Sequence, residues 1–181
     1  MRLCVFCGSS VGSLPVYAQS AQKLGQLMAT RQIGLVFGGG HIGLMGILAD
    51  AVLAAGGAAW GVIPRALVEK ELAHRGLTEL HVVTTMHERK ALMADLSDGF
   101  IALPGGFGTA DELFEILTWR QLGLHTKPIG ILNVNGFFDP LLAWLNRAVE
   151  EGFLRFEHRR LLQEADDPEK LLSLLWSEPP R

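Results

Sequence analysis

Two short stretches carry residue types from which a reactive site can be built. The first is Pro104-Gly105-Gly106-Phe107-Gly108-Thr109-Ala110-Asp111-Glu112, a glycine loop between an apolar run and a helix-length amphipathic one. Backbone amides left open by glycines at a helix start, with the helix dipole behind them, form an anion site, and a phosphate fits there. The loop lacks the Gly-Lys-Ser/Thr ending that cradles a triphosphate with lysine and magnesium, so a monophosphate is the expectation. Glu112 falls one helical turn further on, within reach of a sugar attached to that phosphate. Thr109 and Glu112 also have the spacing of a capping box. For Glu112 taken alone that structural role is the stronger reading, and the neighbouring phosphate shifts the balance toward a ligand role.

The second stretch is Met86-His87-Glu88-Arg89-Lys90, which follows a β-rich run and opens a helical one. Cations at a helix start sit unfavourably against the dipole and are usually solvated. Their place on the same edge as the anion loop makes a ligand role for Arg89 and Lys90 as credible as that bland one. Two more glycine loops, Gly8-Ser9-Ser10 and Gly38-Gly39-Gly40, end strands at this edge, so Ser9 and Gly39 are candidate contacts in a phosphate and sugar pocket. Gly38, Gly40 and Gly43 spell GxGxxG, yet the next strand ends Gly61-Val62-Ile63-Pro64 with no carboxylate for ribose hydroxyls, which excludes NAD. Cys4 and Cys7 have CxxC spacing but lie in a strand, where residues three apart face opposite ways, so they read as buried bystanders rather than a redox pair or metal ligands. His41, His87 and His125 read as loop or surface residues, and no metal site is expected.

These loops need a scaffold that brings them together. Strands are predicted at Leu3–Cys7, Gly34–Phe37, Ala59–Ile63, Leu80–Val83, Gly99–Leu103 and Ile129–Asn133. Helices are predicted at Pro15–Thr30, Leu44–Ala55, Met86–Leu96, Thr109–Leu122, Pro140–Gly152 and Pro168–Trp176. Alternating strands and helices imply an α/β fold of three layers, with a mostly parallel central sheet and helices on both faces. Ligands of such sheets sit beyond the carboxyl ends of the strands, where the glycine loops fall.

With 181 residues and 49% hydrophobic composition, the chain is expected to form one domain over residues 1–181. A net charge of −3 with scattered Lys and Arg argues against nucleic acid as a partner. The opening MRLCVFCGSS reads as a strand and its loop rather than a leader, and the apolar stretch Ala51 to Ile63 is broken by glycines and short of the ~20 residues a spanning helix needs. A cytoplasmic protein without a membrane partner is therefore expected.

The paired blocks Met86-His87-Glu88-Arg89-Lys90 and Pro104 to Glu112 resemble the MHxRK and PGGxGTxxE signatures of the Lonely Guy family of cytokinin riboside 5′-monophosphate phosphoribohydrolases. The similarity runs from Phe6-Cys7-Gly8-Ser9-Ser10 through Gly38-Gly39-Gly40, Ile63-Pro64 and Thr118-Trp119 to Glu150-Glu151-Gly152-Phe153. It implies a Rossmann-like fold, hydrolysis of the N-glycosidic bond of AMP or N6-prenyl-AMP without a cofactor, and a homodimer with sites near the subunit interface. By the same resemblance Arg89 and Glu112 are the catalytic pair, and Gly105, Gly106, Phe107, Gly108 and Thr109 hold the phosphate. Glu71, Lys90 and Thr118 then make further ligand contacts. Breaking a bond to the anomeric carbon builds positive charge on the ribose, which a preorganised carboxylate stabilises. Two rivals stand beside this reading: a non-catalytic nucleotide sensor on the same fold, and a pyridoxal-phosphate lysine decarboxylase, for which Lys90 is the only plausible Schiff-base lysine. An apolar slot for a modified base has candidates in Met86, Met93 and Trp119.

Overall fold

The computed structural model describes residues 1–68 and 73–177. Seven strands form one sheet: β1 Arg2–Phe6, β2 Gly34–Phe37, β3 Ala59–Pro64, β4 Glu79–Val83, β5 Gly99–Ala102, β6 Ile129–Leu132 and β7 Leu162–Ala165. Their order is β4-β3-β2-β1-β5-β6-β7, and every neighbouring pair is parallel. Parallel neighbours need crossovers, which α1 Pro15–Thr30, α2 Gly43–Ala54, α3 Met86–Asp95, α4 Phe107–Gln121 and α5 Asp139–Glu150 supply; a short α6 Phe156–Arg159 and a terminal α7 Pro168–Ser177 complete the chain.

Strand alternation divides the core in two. Leu3, Val5 and Cys7 point to the face covered by α1, α2 and α7, where Leu24, Met28, Leu48 and Leu171 are buried. Cys4 and Phe6 point to the other face, against Met93 of α3, Leu113 and Ile116 of α4 and Leu145 of α5. The two cysteines thus lie on opposite sides of the sheet, both free.

The chain builds outward from β1 to β4 on one side, then returns to place β5 on the other side of β1. At such a reversal the loops after the two central strands diverge and leave a crevice. Here they are Gly8-Ser9-Ser10 and Pro104-Gly105-Gly106, tied together by the Gly8 amide donating to the Pro104 carbonyl at 3.0 Å. The Leu44 amide of α2 donates to the Gly8 carbonyl at 3.0 Å, which brings the third glycine loop to the same place.

All six expected strands are present, within about a residue at each end. β7 and α6 are additional: β7 reads Leu-Gln-Glu-Ala and buries only its end residues, so its sequence carries no β-rich run. The corrected boundary that matters is that of α4, which starts at Phe107 with Gly106 as its N-cap. Thr109 is therefore inside the first turn, and the capping box considered for Thr109 and Glu112 does not form.

Candidate active site

A polar cleft of about 170 Å3 opens at the crevice, walled by Ser9, Gly38, Met45, Arg89, the segment from Gly106 to Thr109, and Glu112. Its floor is the end of β1 and Cys7, the residue just beyond it. The first turn of α4 contributes the amides of Phe107, Gly108 and Thr109, which have no carbonyl one turn earlier in the helix to bond, and the positive end of its dipole. Thr109 is buried beneath this turn at 4% exposure. A Cβ on Gly105 would lie 2.1 Å from the Thr109 hydroxyl, so a glycine is required for the loop to close over it.

Arg89 projects from the first turn of α3 and is 5% exposed. Its Nε donates to the Val62 carbonyl at 3.1 Å and its Nη2 to the Gly38 carbonyl at 2.9 Å, so the guanidinium is held across the ends of β3 and β2. A Cβ at Gly38 would lie 2.1 Å from Nη2; only glycine leaves the guanidinium its place. Gly38 was legible as part of a glycine loop, but its use, making room for an arginine fifty-one residues away, has no local signal.

Glu112 lies on the next turn of α4 and is partly buried. Burial first, and then the Glu112 carboxylate, push the Cys7 thiol far above the ordinary cysteine range. The same two influences raise Cys4. Cys7 thus enters the cleft as a neutral thiol, an apolar floor under a charged pair of walls.

Other expected site residues lie elsewhere. Gly39 packs against Gly61 and Leu80, and its carbonyl accepts from the His74 amide at 2.9 Å. Lys90 is 11% exposed and points between α3 and α4, paired with Asp111 and Glu115 at 3.1 Å each. Burial disfavours its ammonium, yet hydrogen bonds to the two carboxylates prevail and raise its pKa from the ordinary 10.5. Thr118 is exposed on the outer groove of α4 beside Phe107, Phe114 and Trp119, its hydroxyl donating to the Phe114 carbonyl at 2.7 Å. Glu71 lies outside the described residues. Phe107, 98% exposed, stands on the rim shared by the cleft and that groove.

One cluster of metal-ligand types occurs among the described residues: His41, Asp50 and His74. The Gly76 amide donates to His74 Nδ1 at 3.1 Å, so the ring proton is on Nε2 and is donated to Asp50 at 2.9 Å. A histidine that binds metal through one nitrogen donates from the other; here that nitrogen is an acceptor, and the group serves as a hydrogen-bonded anchor for the loop after residue 73.

A cytokinin riboside 5′-monophosphate phosphoribohydrolase of Arabidopsis thaliana is 48% identical over 174 residues, 96% of this chain and 82% of its own. A second from Arabidopsis thaliana is 47% identical over 180 residues, 99% of this chain and 84% of its own. The chain belongs to the Lonely Guy family. Residues 45–175 also match a family model described as possible lysine decarboxylase. The site does not fit that description: a Schiff-base lysine needs a lowered pKa and access to substrate, and Lys90 has its pKa raised inside an ion-paired seam. Among solved structures, a molybdenum cofactor binding protein from Rippkaea orientalis superposes with a TM-score of 0.72 at 23% identity, covering 97% of this chain and 95% of that one. The molybdenum cofactor carrier protein of Chlamydomonas reinhardtii gives 0.69 at 21% identity, covering 96% and 98%. At these identities the likeness is one of fold, the Rossmann-like sheet that this Lonely Guy chain shares. No helix among the described residues is long and apolar enough to cross a membrane.

Proposed function

We propose that this chain hydrolyses the N-glycosidic bond of adenosine 5′-monophosphate or an N6-modified form of it, releasing the free base and ribose 5-phosphate. The observation that carries the reading is the convergence of Arg89, Glu112 and the first turn of α4 on one polar cleft. The 5′-phosphate seats on the amides of Phe107, Gly108 and Thr109. The ribose then lies along α4 beside Glu112, whose carboxylate stabilises the developing oxocarbenium ion and accepts the proton of the attacking water. Water oxygen bonds to the anomeric carbon as that carbon's bond to the base nitrogen breaks; the electron pair leaves with the base, which takes up a proton from solvent, and Glu112 returns its proton to solvent. Arg89, fixed by Val62 and Gly38, meets the charge of the departing base or of the phosphate.

The reading extends to assembly and location. Leu122 and Leu124 just past α4, Trp144 on α5 and Phe153 just past α5 are large, apolar and exposed, a surface that a second copy would bury in a homodimer. A cytoplasmic location is part of the same reading.

The test is release of base from AMP and from N6-isopentenyl-AMP without added cofactor, followed by chromatography beside a Glu112→Ala control. Release that depends on Glu112 is the expected result. Tight nucleotide binding with no release by the parent protein would favour a sensor and sink the hydrolase.

A further inference from the structure

Arg89 is held at its guanidinium end by two carbonyls, but it projects from a helix start, where a cation is unfavourable. The structure shows what steadies the other end. Thr85 is the N-cap of α3, and its hydroxyl accepts from the Glu88 amide at 3.1 Å. The Glu88 carboxylate reaches back to the Thr84 amide at 2.7 Å and the Thr85 amide at 3.3 Å. Adjacent to this closed box, the Arg89 amide donates to the Thr85 carbonyl at 3.1 Å. Glu88 itself is exposed and does not line the cleft.

We infer that Thr85 and Glu88 are positioning residues for hydrolysis: their capping box fixes the first turn of α3 so that the Arg89 guanidinium is presented to the cleft. The inference rests on the reading of Arg89 as a catalytic residue. Two features make the box more than a generic helix start. Glu88 places a negative charge beside the amide end of α3, offsetting the conflict between that end and the adjacent Arg89 and Lys90. The linker Thr84-Thr85 joins α3 to β4, an edge strand with a neighbour on one side only, so the sheet does less there to fix where the helix begins. A turn free to shift would carry Arg89 off the Gly38 and Val62 carbonyls, and a displacement near 1 Å at a reacting group costs about a hundredfold in rate.

The experiment is a double-mutant cycle on the full chain, read as kcat and KM for base release from AMP at a temperature where circular dichroism shows every variant folded. Glu88→Ala and Thr85→Val are expected to lower kcat between about tenfold and a hundredfold with KM little changed. Thr85→Ser, whose oxygen can accept from the same amide, is expected to stay near the parent, and Glu88→Gln, which keeps an acceptor oxygen but not the charge, to fall between the parent and Glu88→Ala. Introduced into Arg89→Ala, Glu88→Ala is expected to lower the residual kcat no further. Parental kcat in Glu88→Ala, an equal loss in both backgrounds, or Glu88→Gln as slow as Glu88→Ala would each overturn the inference. Parental kcat in Arg89→Ala alone would instead overturn the assignment of Arg89, and this inference with it.

Discussion

Gly38 and Arg89 occupy one small volume, and chemistry at the cleft depends on which of them fills it. Replacing Gly38 with alanine sets a methyl carbon 2.1 Å from Nη2, a separation that no contact tolerates, so the guanidinium must leave the Gly38 carbonyl. Gly38→Ala is expected to keep the fold, since the clash is with the end of a long side chain, and to lower kcat/KM about a hundredfold. Melting temperature and steady-state base release, measured side by side, check both halves of that statement. Glu112 calls for a different experiment because its side chain lines the cleft. Glu112→Gln removes the charge at nearly constant shape, and kcat is expected to fall by about two to three orders of magnitude while calorimetry shows AMP still bound. Loss of binding in step with kcat would mean that Glu112 holds the ground state rather than the transition state.

Helix starts decide how much of the site could be read from sequence. The chain contains the spacing Thr-x-x-Glu at Thr85–Glu88 and again at Thr109–Glu112. Only the first forms a capping box; at the second, Gly106 ends the loop early and the helix begins two residues before the threonine. Four letters cannot distinguish these cases, because the outcome depends on how the preceding loop packs. That same packing releases Glu112 for the cleft. The strands were legible because burial on both faces forces continuous apolar runs, as in Gly99-Phe100-Ile101-Ala102; β7, at an edge with a polar middle, has no such pressure. Lys90 was legible as a cation near the site, while its partners Asp111 and Glu115, on another helix, were not. This seam between α3 and α4 predicts a stability effect. Lys90→Gln is expected to cost on the order of 1 kcal/mol, a fall of roughly 2–4 °C in Tm. The folded pKa of Lys90 lies above its unfolded value, so its contribution is complete below the ordinary 10.5 and is lost as pH rises through the folded value. Urea melts of parent and variant should therefore converge in strongly alkaline solution and differ at neutral pH; a constant difference across that range would contradict the ion-pair account.

The whole molecule poses a question that neither helix starts nor strand runs answer: what covers the outer surface of α4 and α5. Along α5 only Leu145 is fully buried, and Trp144 remains 58% exposed although its ring makes an edge contact with Phe114 of α4. Leu124 and Phe153, at 68% and 88% exposure, extend the apolar area past the ends of both helices. An area of this kind on a chain of net charge −3 is expected to pair with its own copy, because a two-fold contact lets one patch bury itself twice. The groove holding Thr118 and Trp119 opens beside that surface and joins the cleft at Phe107, so a second copy seated there would wall in the rim of the cleft. Light scattering behind size-exclusion chromatography is expected to give twice the 19.7 kDa chain mass for the parent protein and one chain mass for the double variant Trp144→Glu and Leu124→Glu. If the partner also shapes the base slot, the monomeric variant should lose more kcat/KM for N6-isopentenyl-AMP than for AMP, since the apolar substituent reaches furthest from the phosphate loop. Equal losses on both substrates would place the base within one chain and leave the interface a purely structural one.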